Sequence, residues 1–315
     1  MSVWLIGSGV MAQNYAQVLL GLGVPFEVIG RGTDSASVFT RATGCFVRTG
    51  GLADALGKKV APDQAIVAVG VEQLAATTTD LIYAGVKRIL VEKPGGLALP
   101  ELEEMNRRAI EHNSLILLGY NRRFYGSVQH LREYIDEDGG VLSAQFEFTE
   151  WSHLIKPLVR GDGVKEHWLL ANSSHVIDLV FHLIGRPADW KCWHKGSVDW
   201  HPSAARFTGA GITEQEVLFS YQADWQAPGR WGIELMTQKR RLILRPMERL
   251  QVTHLGSLDV NTVEPRDNVD QVYKPGLFKQ TQAFLSGDDL LFCALPEQVE
   301  NARIYAEIAG YSWPH

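Results

Sequence analysis

Cysteine is scarce in this sequence, and its distribution excludes two kinds of small stabilised domain. Cys45, Cys192 and Cys293 are the only cysteines in 315 residues, an odd number with wide spacing. No CxxC pair is present, so the sequence indicates neither a disulfide framework nor a structural zinc site. This use of cysteine is typical of a reducing compartment, and we expect no bound metal.

Long apolar runs and clustered positive charge are also lacking. No stretch of about 18 consecutive apolar residues is available to span a membrane. The first nine residues, MSVWLIGSG, lack the basic start of a signal peptide. The net charge is -6, whereas a nucleic-acid-binding protein would carry a basic stripe. The sequence therefore predicts a cytoplasmic protein that binds neither a membrane nor nucleic acid.

The first 119 residues alternate short apolar runs with helical patterns. The apolar runs, which resemble buried strands, cover residues 3–6, 26–29, 65–69, 88–91 and 114–118. Helical patterns separate them, for example over residues 11–22 and 100–112. Strands that alternate with helices form βαβ units and a parallel sheet. We therefore predict an α/β fold that begins with a Rossmann domain, a doubly wound parallel sheet, over residues 1–119.

The pattern changes after residue 119. Eight of the nine tryptophans follow, together with strand-like runs over residues 141–149, 216–221, 231–237, 241–245 and 250–253. We predict a second, α+β domain over residues 120–315, built on an open and mostly antiparallel sheet. An aromatic sheet needs cover on both faces, by helices on one side and by a second subunit on the other. We therefore expect a homo-oligomer, either a dimer or a tetramer.

A glycine-rich turn, LIGSGVMAQNYA, follows the first predicted strand. Gly7, Gly9 and Ala12 form a GxGxxA pattern between a strand and a helix, which is the context that a dinucleotide-binding turn requires. A pyrophosphate would then sit at the helix N-terminus. The predicted cofactor-binding residues of this turn are Gly7, Ser8, Gly9, Val10 and Met11. The alternative is an ordinary strand-to-helix turn.

No acidic residue follows the second predicted strand, where an NAD site usually has one for the ribose 2′-hydroxyl. The strand is followed by Gly30 and Arg31, and Glu27 lies too early, inside the strand. The forked guanidinium of Arg31 suits a 2′-phosphate. The sequence therefore favours NADP, with NAD as the alternative if Arg31 is only an exposed loop residue.

The segment VEKPG leaves the fourth apolar run through charged residues. Glu92, Lys93 and Pro94 follow the predicted strand at 88–91, and ligands of open α/β sheets bind beyond such carboxyl ends. An ammonium group there is suited to hydrogen-bond a substrate oxygen next to a nicotinamide. We assign these three residues to the cofactor side, together with Gly70 after the preceding strand. The alternative is a strand that simply meets solvent.

A helical segment, ANSSHVIDLVFHLIG, places His175, Asp178 and His182 on one face. Asn172 or Ser173 is predicted to cap this helix, and His175 in its first turn would then face a site. The alternatives are a structural histidine, and a metal site for which no fourth ligand with suitable spacing is present.

These elements together resemble the glucose–fructose oxidoreductase, inositol dehydrogenase and rhizopine catabolism family (Gfo/Idh/MocA). The resemblance rests on the GxGxxA turn, AGVKRILVEKPGGL, GYNRRF, and HVIDLVFHLIG before a tryptophan-rich sheet. It implies a Rossmann domain followed by an α/β domain whose open sheet often mediates dimerisation. It also implies hydride transfer between NAD(P) and a secondary alcohol or carbonyl, commonly on a sugar or cyclitol. By position, Lys93 and His175 match the catalytic lysine and histidine.

Two departures indicate a divergent member of that family. Many members have an aspartate four residues before the histidine, where this chain has Ala171. The segment that begins Gly70-Val71 also replaces a more usual Thr-Pro or Asn-rich turn. Two alternatives therefore stay open: a cofactor-binding regulator without turnover, and a reductase of an imine or tetrapyrrole.

The expected activity is that of an NADP-preferring oxidoreductase. Its expected substrate is a sugar, a sugar derivative or a nucleotide-linked sugar. His175 would exchange the hydroxyl proton, and Lys93 would polarise the oxygen. The predicted substrate-side residues are Tyr120, Arg123, Trp151, His153, Lys156, Trp168 and Asn172.

Overall fold

Two sheets organise the chain in the computed structural model, which describes residues 3–313. The first unit runs to Asn121 and includes the later segment Val269–Glu300. The second unit contains Arg122–Asn268 and the remaining residues from Asn301 onwards. This division differs from the predicted domains, 1–119 and 120–315, because a late segment of the chain packs on the first sheet. In the described part of the chain, no helix combines the length and apolarity that a membrane crossing requires.

The strands, numbered along the chain, are β1 (Val3–Ile6), β2 (Phe26–Ile29), β3 (Val47–Arg48), β4 (Gln64–Val67), β5 (Arg88–Val91), β6 (Leu115–Leu118), β7 (Ser143–Glu147), β8 (Pro187–Lys195), β9 (Arg206–Thr213), β10 (Leu218–Asp224), β11 (Gly232–Met236), β12 (Arg240–Leu244), β13 (Leu250–His254), β14 (Asn261–Thr262) and β15 (Cys293–Ala294).

The α-helices are α1 (Val10–Gly21), α2 (Thr33–Thr43), α3 (Gly51–Lys58), α4 (Leu74–Tyr83), α5 (Leu99–Glu111), α6 (Gly126–Asp138), α7 (Ser152–Ile155), α8 (Ser174–Ile184), α9 (Val269–Val272), α10 (Leu277–Ser286) and α11 (Leu295–Ala309). Short 3₁₀ segments cover Val71–Gln73 and Asn121–Phe124, and a π-helical segment covers Leu169–Ser173.

The first unit is built on a parallel sheet with the strand order β3-β2-β1-β4-β5-β6, and β15 adds an antiparallel edge strand. This is the doubly wound order of dinucleotide-binding folds. Val3–Ile6 is buried along its whole length, as expected for a strand covered by helices on both faces. The Rossmann prediction for this part of the chain is confirmed.

The register of this sheet brings several strand ends to one edge. Ile6 pairs with both Ile29 and Val67, and Val67 pairs with Val91. Because these strands are parallel, the residues that follow each of them leave the sheet at the same carboxyl edge. The glycine-rich turn, the Arg31 loop, Gly70 and VEKPG are therefore neighbours at that edge.

The second unit is built on a sheet with the order β14-β13-β12-β11-β7-β10-β9-β8. Neighbouring strands are antiparallel except β7 and β10, which are parallel. Helix α8 packs against β7 and β11, and helix α6 packs against β12 and β13. The prediction of an open, mostly antiparallel sheet is confirmed.

Several aromatic residues of this sheet face its helices. Phe146 and Tyr221 are buried, and the Phe146 ring meets Phe181 of α8 edge-on at 5.9 Å. Their neighbours in sequence, such as Glu147 and Gln222, point the other way, and Glu147 binds Arg245 across the strands at 2.9 Å. On β8 of the same sheet, however, Trp193 is 58% exposed, so the helices do not cover every aromatic ring. Homo-oligomer formation stays a prediction.

A buried ion pair holds the start of the second unit to α8. Arg123 donates from Nε to Asp178 Oδ2 at 2.9 Å and from Nη2 to Asp178 Oδ1 at 2.6 Å. Both side chains are 1% exposed. The prediction that Arg123 contacts substrate is therefore corrected: its guanidinium is engaged by a carboxylate inside the fold.

We predict that Arg123→Ala lowers the free energy of unfolding by about 3–5 kcal/mol, since it leaves the Asp178 charge buried without its guanidinium. Urea denaturation of the wild type and the variant measures this loss. Arg249→Ala is the control, because Arg249 is exposed and such a change stays within about 0.5 kcal/mol. Equal stabilities of the Arg123 and Arg249 variants would contradict a structural role for the pair.

Candidate functional site

The glycine-rich turn brings the backbone of β1 close to that of β4. Gly7 has φ +121°, and a Cβ there would lie 2.3 Å from the Ala68 carbonyl oxygen. Gly9 precedes α1, and a Cβ on it would meet no described atom within 4 Å. No side chain caps the N-terminus of α1. Free backbone N–H groups beside open space are what a phosphate group requires.

The turns after β1 and β2 pack on each other. Ser8 Oγ donates to Ser35 Oγ at 3.0 Å, and Ser35 in turn donates to the Gly32 carbonyl at 3.3 Å. A Cβ on Gly30 would lie 3.0 Å from Ser8 Oγ, so the close packing depends on glycine at this position. Ser8 therefore links the glycine-rich turn to the loop that carries Arg31.

The charged groups near the end of β2 differ in whether they form ion pairs. Arg31 is exposed, and its guanidinium forms no hydrogen bond or ion pair with residues 3–313. Glu27 is held by Lys59 at 2.7 Å and by Arg48 at 3.4 Å, and these contacts, led by Lys59, lower the pKa of its carboxyl group. The structure also places Asp34 in the first turn of α2, an exposed carboxylate that the sequence reasoning did not consider.

The VEKPG segment is a buried turn. Glu92 and Pro94 are buried and Lys93 is half-buried, so the alternative of a strand meeting solvent is wrong. The Glu92 N–H donates to the Val67 carbonyl at 2.9 Å, and the Pro94 carbonyl accepts from Gln298 Nε2 at 3.0 Å. The backbone on both sides of Lys93 is therefore fixed. Gly70 lies after the neighbouring strand β4 and immediately precedes the 3₁₀ segment Val71–Gln73.

Glu92 belongs to a buried network that the sequence did not reveal. Tyr15 of α1 donates to Glu92 Oε1 at 2.9 Å, and its hydroxyl lies 3.2 Å from Gln280 Oε1 of α10. Burial raises the pKa of Glu92, against the opposing charge of Lys93. Burial also raises the pKa of Tyr15 well above its usual value, so it stays a donor. The carboxylate predicted to bind cofactor is instead engaged inside the unit.

The helix of the second unit that carries His175 begins differently from the prediction. The π-helical segment Leu169–Ser173 runs into α8, and neither Asn172 nor Ser173 caps it. Asn172 Nδ2 and Ser173 Oγ instead donate to Glu150 Oε1, at 2.9 Å and 2.7 Å. The cap prediction is therefore wrong. Single π-helical turns inside helices are frequent at functional sites.

Glu150 is a buried carboxylate beside this turn, and the sequence reasoning missed it. It is 2% exposed, and burial raises its pKa above the usual value. The predicted substrate residue Trp168 is also buried, and its indole Nε1 has no hydrogen-bond partner among residues 3–313. Arg230 approaches the other oxygen, Oε2, at 3.4 Å. Glu150 therefore holds the turn before His175 through a buried carboxyl group.

Trp231 is the centre of a second cluster in this unit. The guanidinium carbons of Arg122 and Arg230 lie 4.7 Å and 4.8 Å from its ring centroid. The His175 ring lies 6.1 Å from the same indole, and His175 is 6% exposed. Burial lowers the pKa of Arg122. The cluster places two cations next to the candidate catalytic histidine.

Of the remaining predicted substrate residues, two lie beside the Trp231 cluster and two do not. Trp151 is 44% exposed and lies 4.9 Å from Arg230, and exposed His153 stacks on Trp151, so both border the cluster. Lys156 is exposed and binds Asp199 at 2.6 Å, which gives it a different partner. Tyr120 is buried within the first unit.

The polar residues further along α8 are structural. Asp178 is held by Arg123, and burial, followed by the charges of Arg123 and Arg132, lowers the pKa of His182 to about 3. A histidine with this pKa stays neutral at physiological pH. Of the three polar residues predicted to share this helix face, Asp178 and His182 therefore have structural surroundings, and His175 stays the candidate catalytic residue.

Comparison with known proteins gives a match at the level of the fold. No family model matches the chain, and no curated protein does. Among solved structures, UDP-N-acetylglucosamine 3-dehydrogenase GnnA from Acidithiobacillus ferrooxidans has 16% identity and a TM-score of 0.76, covering 98% of this chain and 96% of its own. Levoglucosan dehydrogenase in complex with NADH has 16% identity and a TM-score of 0.78, with coverages of 98% and 96%.

A third structure comes from Desulfitobacterium hafniense and is described as a candidate NADPH-dependent oxidoreductase. It has 18% identity and a TM-score of 0.78, covering 98% of this chain and 93% of its own. The similarity to all three proteins extends over nearly the whole chain. At such identities it establishes a shared fold, a Rossmann domain combined with a mostly antiparallel sheet domain.

We predict that Glu150→Gln changes how stability depends on pH. The folded-state pKa of Glu150 is raised above the usual 4.5, so the folded chain binds this proton more tightly than the unfolded chain. The wild type should therefore lose stability relative to Glu150→Gln as pH rises above that value, by up to about 1.4 kcal/mol per pH unit until the folded pKa is passed.

Urea denaturation at several pH values between 5 and 8 measures this difference. Glu214→Gln is the matched control, because Glu214 is exposed in the same unit. A difference between Glu150→Gln and wild type that stays constant across this range would contradict the assignment.

Proposed function

We propose that this chain is an NADP-preferring oxidoreductase of the Gfo/Idh/MocA family. It would transfer hydride between nicotinamide and a secondary alcohol or carbonyl of a sugar, sugar derivative or nucleotide-linked sugar. The observation that carries the proposal is the common carboxyl edge of the parallel sheet, where the open turn at Gly9 follows β1 and the buried turn around Lys93 follows β5, on the two sides of β4. The likeness to sugar and nucleotide-sugar dehydrogenases supports it.

The residues at this edge fit a dinucleotide. Gly9 leaves open space beside the uncapped N-terminus of α1, which suits the pyrophosphate, and the unpaired guanidinium of Arg31 suits a 2′-phosphate. When bound, the nicotinamide supplies or accepts the hydride. Thr33 carries a hydroxyl group in the first turn of α2 and is a further donor for a phosphate.

Lys93 and His175 have separate roles in the proposal. The ammonium of Lys93 donates to the substrate oxygen and stabilises the negative charge that develops on it. His175 accepts the hydroxyl proton in oxidation, or returns it in reduction, at a ring nitrogen. The fixed backbone around Lys93 and the Glu150-bound turn before His175 limit the movement of both groups.

The second candidate function is a cofactor-binding regulator without turnover. Ala171 favours it, because this buried position carries no carboxylate. Glu150 weighs against it, since it supplies a carboxylate to the next two residues, Asn172 and Ser173. A sugar panel assayed with NADPH and NADP⁺ separates enzyme from regulator.

We predict that NADPH binds more tightly than NADH and that Arg31→Ala removes the preference. A charged hydrogen bond to phosphate contributes about 1.5–3 kcal/mol, which corresponds to a loss of roughly tenfold to a hundredfold in affinity for NADPH. Fluorescence titration of both cofactors measures it. Arg41→Ala, an exposed arginine in the last turn of α2, is the control. Equal affinities of the wild type for NADPH and NADH would refute the preference.

We predict that Lys93→Ala and His175→Ala still bind NADPH but each lose about a hundredfold or more in turnover. The double variant should lose less than the product of the two factors, because groups that act together are non-additive. Steady-state kinetics with a sugar from the panel measure this. Exposed Lys195→Ala is the control. Near-wild-type turnover in Lys93→Ala would exclude its proposed role, and a wild type that binds NADPH without any turnover would favour the regulator.

A further inference from the structure

The guanidinium of Arg122 is a half-buried cation, and among residues 3–313 no carboxylate lies within ion-pair distance of it. Its side chain forms no hydrogen bond or ion pair within residues 3–313, and its Nε is a buried donor with no acceptor. The next residue, Arg123, instead donates two hydrogen bonds to Asp178. A guanidinium has five N–H donors and stays charged in proteins. Removing such a group from water without a partner is costly.

The contacts that Arg122 does make are aromatic. Its guanidinium carbon lies 4.7 Å from the Trp231 ring centroid and 5.8 Å from that of Tyr125. These ring faces orient the cation and contribute about 0.5–2 kcal/mol each. They accept no strong hydrogen bond, so the planar donors of Arg122 stay available for a ligand.

A second arginine shares the same indole. Arg230 lies 4.8 Å from the Trp231 centroid and 4.9 Å from that of Trp151, and its side chain is 46% exposed. The charge of Arg230 is among the causes that lower the pKa of Arg122. Two like charges on one ring disfavour each other unless an anion lies near both.

The acidic groups around these cations only partly neutralise them. Glu150 meets Arg230 through a single long contact of 3.4 Å, and its other oxygen is engaged by Asn172 and Ser173. Glu248 is exposed, and its carboxylate lies 3.5 Å from the Tyr125 hydroxyl. Neither carboxylate lies within ion-pair distance of Arg122.

We propose that Arg122 and Arg230, held by Trp231, bind an anionic group on the substrate, either a carboxylate or a phosphate. That the ligand is a carbohydrate rests on the proposed function. Arg–oxyanion pairs are well suited to such groups because the guanidinium fork matches them. The His175 ring is 6.1 Å from the same indole. The acidic group therefore belongs on the sugar ring that reacts, or next to it, which points to sugar acids and sugar phosphates.

The test compares acidic and neutral sugars by isothermal titration calorimetry, with and without NADPH. The probes are glucuronate, glucose 6-phosphate and glucose, and the variants are Arg122→Gln and Arg230→Gln. The control is Arg249→Gln, which removes the same charge from an exposed position in the same unit. Circular dichroism melting checks that each variant folds. If Arg122→Gln does not fold, Arg230→Gln still tests the proposal.

We expect the wild type to bind at least one acidic sugar at least tenfold more tightly than glucose. Arg122→Gln and Arg230→Gln should each weaken that binding by roughly tenfold to a hundredfold. Arg249→Gln should bind like the wild type, and glucose affinity should not change. Selective loss for glucuronate identifies a carboxylate as the ligand group, and selective loss for glucose 6-phosphate identifies a phosphate.

A wild type without preference for any acidic sugar would overturn the proposal, as would variants that bind these sugars unchanged. The binding assay is independent of turnover. If the chain binds an acidic sugar through Arg122 but shows no turnover, this proposal stands and the proposed enzyme function is refuted. Turnover of neutral sugars with kcat/KM unaffected by Arg122→Gln would remove this proposal and leave the enzyme function.

Discussion

The close approach of Gly7 to the Ala68 carbonyl is the constraint on which the first unit depends. A Cβ at this φ of +121° would lie 2.3 Å from the carbonyl oxygen, so no other residue fits without moving β1 away from β4. The strand order reverses between these two strands. The constraint therefore fixes the point of the sheet at which ligands of such folds bind, and it sets where the turn around Gly9 opens.

Each unit also buries a carboxyl group next to a candidate catalytic residue. Glu92 adjoins Lys93 and is held by Tyr15, and Glu150 holds the turn that precedes His175. Burial raises both pKa values, which means that charging either group opposes folding. A fold optimised for stability alone would place neutral side chains at such positions. Within the proposed function, Glu92 and Glu150 would position Lys93 and His175 through the segments that they hold.

The sequence predicted correctly those features that produce a pattern among residues close together in the chain. The strands of the Rossmann sheet could be predicted because burial on both faces produces continuous apolar runs. The glycine-rich turn could be predicted because its glycines have a fixed spacing between a strand and a helix. Strands β8 and β9 were missed, since β9 contains Gly209 and Gly211 and half of β8 is exposed. Glu150 and the segment Val269–Glu300 depend on contacts distant in sequence, which no local pattern reports.

Arg122 and Arg123 show why residue type alone does not assign a role. They are consecutive in a 3₁₀ segment, where successive side chains point about 120° apart because three residues complete a turn. One guanidinium therefore meets Asp178 in the core, whereas the other lies against Trp231 and pairs with no carboxylate in the described part of the chain. The sequence motif GYNRRF alone does not distinguish the roles of the two arginines. Only the partner distinguishes them: a satisfied buried charge stabilises the fold, and an unsatisfied one beside an aromatic cluster is a group that a ligand can complete.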